Sequence, residues 1–70
     1  MKSKPTPFEV THHQDAVVEL YLDHAKREVI ELYHRAGGRE DRIVHSAQSY
    51  LQKYASYPIG KKVLNAMVMV

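Results

Sequence analysis

The sequence predicts an all-α fold: an antiparallel two-helix hairpin with a short third C-terminal helix and an irregular N-terminal arm. Two apolar stripes and the glycine pair between them carry that expectation. The first stripe is Val18, Leu22, Ala25, Val29, Leu32 and Ala36, at spacings that alternate four and three. The second is Ile43, Ala47, Tyr50 and Tyr54, at spacings of four, three and four. Such spacing keeps side chains on one face of an α-helix. Gly37-Gly38 leaves a link so short that the two helices must run antiparallel and bury the stripes against each other.

The first ten residues read as an arm, and 11–70 as one helical domain. Pro5 and Pro7 oppose regular helix and push the residues before them toward extended backbone. Phe8 and Val10 are the apolar residues of the arm, and Phe8 is expected to cap one end of the core.

Helix 1 is expected over about 11–36. Thr11 and Gln14 fit a capping box, in which each side chain serves the other's backbone amide. Asp15 and Glu19 suit the positive end of the helix dipole, and His34 and Arg35 the negative end. Asp23, Arg27, Glu31 and Arg35 follow at four-residue steps with alternating sign, the pattern of a solvated helix face. Gly37 would end the helix in a left-handed cap.

Helix 2 is expected over about 39–56, with Glu40 and Asp41 in its first turn and Lys53 in its last. Pro58 stops it, because Tyr57 is disfavoured in helix before a proline. A third helix over about 59–68 follows from the spacing of Ile59, Val63, Met67 and Val70. Valine there also suits a strand, but a strand would find no partner in an all-helical chain. No internal repeat is read in the chain.

Composition narrows the function. Seventy residues make one small domain, which buries about 60% of its unfolded surface. There is no Cys, so disulfides, thiol redox chemistry and Cys-based zinc sites are excluded. A chain without Cys fits a reducing compartment, and no secretory signal is read, so the expected location is cytoplasmic. The apolar run from Ala66 to Val70 is too short to cross a bilayer, and no membrane partner is expected. The net charge of +2 is too mild to argue for nucleic acid by itself.

No catalytic, cofactor or metal site is expected. Glu31-x-x-His34 has the spacing that puts two ligands on one helical face, but one copy on a charged face makes no metal centre. His12-His13 and His24 with Glu28 read as surface histidines. A short helical domain also encloses little of the pocket that catalysis requires.

The expected function is that of a non-enzymatic protein-binding module, an adaptor or inhibitor of a larger cytoplasmic machine. Its expected surface combines Lys53, Tyr54, Tyr57, Lys61 and Lys62 with the apolar end at Met67 and Met69. Tyrosine suits interfaces because its ring buries area while its hydroxyl tolerates polar surroundings. Methionine suits adaptable ones. The narrower expectation is a transcription regulator of phage or plasmid type that binds RNA polymerase or an associated factor. The alternatives are a small nucleic-acid-binding protein using Lys53, Lys61 and Lys62, and a homodimeric helical bundle.

Overall fold

The computed structural model describes residues 6–68. It replaces the expected helical hairpin with a four-stranded antiparallel sheet followed by two helices, an α+β fold. The strands are β1 (Glu9–His12), β2 (Ala16–Asp23), β3 (Glu28–Arg35) and β4 (Glu40–Ser46). They lie in chain order β1-β2-β3-β4. The helices are α1 (Ala47–Lys53) and α2 (Pro58–Val68).

The segment expected as helix 1 is instead a β-hairpin. Val17-Val18-Glu19-Leu20-Tyr21 is repeated as Val29-Ile30-Glu31-Leu32-Tyr33, so the chain does contain an internal repeat. Both copies are rich in β-branched and aromatic residues, which fit a pleated surface. Register places Leu20 opposite Glu31 and Leu22 opposite Val29. Side chains then alternate between two faces. Val18, Leu20, Leu22, Val29, Glu31 and Tyr33 share the face on which the helices pack. Val17, Glu19, Tyr21, Ile30, Leu32 and His34 share the opposite, uncovered face.

The four-three stripe is therefore a coincidence of two strands and a turn. Ala25 lies in the β2–β3 turn, and Leu32 points away from Val29. That turn carries no Gly, Pro or Asn. It closes because the Asp23 carboxylate accepts from the Lys26 amide at 3.1 Å and Arg27 adopts a left-handed φ of 54°.

The expected helix 2 divides at Ser46. Its first half is β4, paired with β3 from Glu28↔Ser46 to His34↔Glu40. Gly37 and Gly38 make the β3–β4 turn, with φ of 81° and 83°, where a side chain would be strained. Ser46 caps α1 by accepting from the Ser49 amide at 3.2 Å. The Ala47 amide donates to the Arg27 carbonyl at 2.8 Å and fixes the corner against the β2–β3 turn.

The described residues of the expected arm join the sheet. Phe8 donates its amide to the Leu20 carbonyl at 2.6 Å and packs beside the core, and β1 pairs with β2. The core itself joins Leu20 and Val29 of the sheet to Ala47, Tyr50, Val63 and Met67 of the helices. Gly60 lets α2 pass close to the Tyr54 backbone: a Cβ there would lie 2.6 Å from the Tyr54 carbonyl carbon. Met69 lies outside the described residues.

Candidate functional site

The helices do not close completely on the sheet. Between them lies a cleft of about 330 Å³, floored by Val18 and Leu20 of β2 and walled by Tyr50, Tyr54 and Ile59. Glu31 and Tyr33 of β3 project into it, and Glu9, Thr11 and His13 form its rim. Among these positions there is no lysine and no arginine.

Glu31 is the polar centre of the cleft. Its Oε1 lies 2.7 Å from His45 Nε2, and the two side chains are only 12% and 18% exposed. Tyr33 lines the cleft beside the same carboxylate, and its pKa is raised by burial first and by the Glu31 charge second. Tyr50 is almost wholly buried. Its hydroxyl is pushed up to about 12, chiefly by burial, with Glu31 next in effect.

An aromatic file leads outward from this centre. The His45 ring meets Tyr50 edge-on at 5.5 Å, Tyr50 meets Tyr54 at 4.5 Å, and Tyr54 meets Tyr57 at 5.8 Å. Lys53 Nζ sits 5.4 Å from the Tyr54 ring centroid, within cation–π range. Tyr57 is 54% exposed.

The residues expected to meet a partner separate in the fold. Lys53, Tyr54 and Tyr57 lie along that file, and Lys61 begins one turn away, its amide donating to the Tyr57 carbonyl at 3.2 Å. Lys62 turns toward β1, with Nζ 3.4 Å from a Glu9 carboxylate oxygen. Met67 is 4% exposed and belongs to the core, so it offers no surface.

Glu31 and His34 do not share a face as the helical reading required, because residues three apart on a strand point to opposite sides. His34 stands on the uncovered face. Its Nε2 lies 2.8 Å from Glu19 Oε1 and its Nδ1 lies 3.4 Å from Glu40 Oε2. The hydrogen bond to Glu19 is the main reason its pKa is raised. Among the described residues, no three His, Cys, Asp or Glu side chains gather in a way that holds a metal ion.

Sequence reasoning missed Glu9, Glu31, Tyr33 and His45. The signal that finds two of them is the repeated Glu-Leu-Tyr. Once both copies are strands, an antiparallel turn presents Glu19 and Tyr21 on one side and Glu31 and Tyr33 on the other.

The uncovered face is the second feature of note. Val10, Val17, Tyr21, Ile30, Leu32 and Val44 form its apolar surface. Among the described residues, its strands set Glu19, Asp23, Glu28 and Glu40 on it with one arginine, Arg42, and with His34 paired to Glu19 and Glu40. No helix of the described chain is long and apolar enough to cross a membrane. Comparison with known proteins adds no relative, since no family model, no curated protein and no solved structure matches this chain.

Proposed function

We propose that this protein is a non-enzymatic binding module that docks on a larger protein through the uncovered side of its sheet. One observation carries the reading. The helices cover one side of the sheet, and the other presents Val17, Tyr21, Ile30 and Leu32 with no element of the described chain over them. Contiguous apolar surface of this kind marks interaction sites. The chemistry of the partner follows from charge. The chain as a whole is positive, at +2, yet this face is acidic. A partner with an apolar strip bordered by basic side chains complements it. A second copy would set like charges against each other, and phosphate backbones would be repelled. The reading puts the encounter in the cytoplasm, supported by the lack of Cys, which suits a reducing compartment.

The test is capture from cell extract treated with nuclease, comparing the native chain with Ile30→Asp and Leu32→Glu. Both changes lie at half-buried strand positions on the face away from the helices and the core, so helix and sheet signals in circular dichroism should persist. The reading expects a protein captured by the native chain and lost with either variant. Capture that is indifferent to both variants overturns it, as does sedimentation showing a native dimer that they dissociate.

A second reading has its own observation. Lys53, Tyr54, exposed Tyr57 and Lys61 form a basic and aromatic ledge on the helical side. Such a ledge suits single-stranded nucleic acid, whose bases stack on rings while lysines meet phosphates. It predicts affinity for an oligonucleotide that falls steeply with salt and is lost in Tyr57→Ala.

A further inference from the structure

We propose that the cleft between the sheet and the two helices binds an alkylammonium cation of the lysine side-chain type. This inference stands apart from the docking face, which lies on the other side of the sheet.

The argument begins with what the cleft lacks. Glu31 lines it at its centre, Glu9 stands at its rim paired with Lys62 at 3.4 Å, and no lysine or arginine is among the lining residues. An anion entering it would lose water and meet negative charge. A cation meets the reverse. Glu31 is almost buried, so its attraction is weakly screened by solvent. It is held in place by His45 at 2.7 Å, so the carboxylate is oriented before a ligand arrives.

The walls make the second part of the case. Tyr33, Tyr50 and Tyr54 surround the opening. The faces of aromatic rings carry negative charge density and attract ammonium groups. Tyr54 already does so within this chain, where Lys53 Nζ lies 5.4 Å from its centroid. The third part is size and polarity. A volume of about 330 Å³ is at the low end for small-molecule sites, roughly 300–1,000 Å³. Val18, Leu20 and Ile59 supply an apolar lining for a short alkyl chain. A primary ammonium has three donors to offer the carboxylates, which a quaternary one has not. The cleft therefore suits a primary amine on a short methylene stem, either free or as a lysine of a peptide.

The experiment is a titration of the full chain followed by the backbone amide resonances of Leu20, Glu31 and Tyr33. The probes are n-butylammonium, Nα-acetyl-lysine methylamide, tetramethylammonium and butyrate. Both primary ammonium probes should shift these resonances saturably, tetramethylammonium should bind more weakly, and butyrate should leave them in place. Tighter binding of the lysine derivative assigns the ligand to a peptide, and tighter binding of butylammonium assigns it to a free amine. Glu31→Gln should weaken both primary probes at least tenfold. Tyr54→Leu, at a half-buried ring on the edge of the core where leucine keeps an apolar contact, should weaken them severalfold and provides the comparison if Glu31→Gln does not fold. The proposal is overturned if neither primary probe shifts these resonances, if butyrate shifts them equally, or if Tyr54→Leu leaves the affinity unchanged.

Discussion

Glu31 on β3 and His45 on β4 are joined at 2.7 Å one diagonal step across the ladder, and Glu19 and His34 repeat that step at 2.8 Å between β2 and β3. The two pairs lie on opposite faces, because Glu31 sits opposite Ile43 and His45 opposite Val29, whereas Glu19 sits opposite Leu32 and His34 opposite Val17. A single local pattern is thus used in two environments. One pair is enclosed beneath the helices among tyrosine rings. The other stands on the uncovered face and shares its histidine with Glu40. The difference in surroundings decides what each can do.

Removing the histidine should cost unequal amounts. His45→Ala leaves the enclosed Glu31 carboxylate without its closest donor, a loss of about 1–3 kcal/mol for a buried charged group. His34→Ala removes a pair that water can replace, and its effect should be small. Urea unfolding of both variants at neutral pH measures the contrast. Equal costs would show that the enclosure of Glu31 has no energetic weight.

His34 should titrate above 6.5, its ordinary value, because the bond to Glu19 favours the charged ring. The sign for stability follows. A histidine whose pKa is raised by folding stabilises fully below its unfolded pKa, and that contribution disappears as pH rises through the folded value. Glu19→Gln should bring the titration down toward 6.5 and flatten the change in stability from slightly acidic to neutral pH. Proton NMR of the ring measures the first, and urea midpoints across that range the second.

At alkaline pH the buried tyrosine takes over. Tyr50 keeps its proton in the fold up to about 12, against 10 in its ordinary state. The Tyr50 contribution should therefore be level below pH 10, and stability should fall between pH 10 and 12, as the unfolded chain gains ionised tyrosine that the folded chain resists. Tyr50→Phe should remove much of that fall. Tyr21 and Tyr33, also raised, should account for what is left. Unfolding midpoints at intervals of pH, with phenolate absorbance recorded alongside, check both statements.

Gly60→Ala should destabilise the protein although alanine favours helix. The new methyl group would lie inside contact distance of the Tyr54 carbonyl, and backbone yields less readily than a side chain. Overpacking of this kind costs about 1–3 kcal/mol, more than the roughly 1 kcal/mol that alanine gains over glycine in a helix. Thermal unfolding decides the sign. A raised Tm would mean that α2 can move away from the turn before it.

Several features were legible in the residues alone. Thr11 and Gln14 looked like a helix cap, yet the same stretch leads from β1 into a tight turn in which the His13 amide donates to the Ala16 carbonyl at 2.8 Å. Capping motifs and turns use the same polar side chains, so the motif did not discriminate. The strand content was visible in the repeated Glu-Leu-Tyr core with its preceding β-branched residues, but the competing four-three spacing fitted a helix equally well. The β2–β3 turn lacked the usual glycine or asparagine, so nothing at Ala25 announced a reversal. The partners of Glu31 were hidden for another reason. His45 is 14 positions away and meets Glu31 only because the turn at Gly37 and Gly38 sets β3 and β4 in register.

By itself the sequence determined the size of the chain, the absence of any Cys, the left-handed backbone at Gly37, and the interruption at Pro58 that separates the last helix. These depend on composition or on the backbone preferences of single residues, which no distant contact is needed to set. Tertiary structure alone decided whether 16–35 would be helix or hairpin, and so which side each Glu-Leu-Tyr faces. An isolated stretch of Val, Leu and Tyr satisfies its backbone in either form. It becomes a strand when neighbouring strands take up its amides and the helices α1 and α2 bury Leu20 and Val29 on one side.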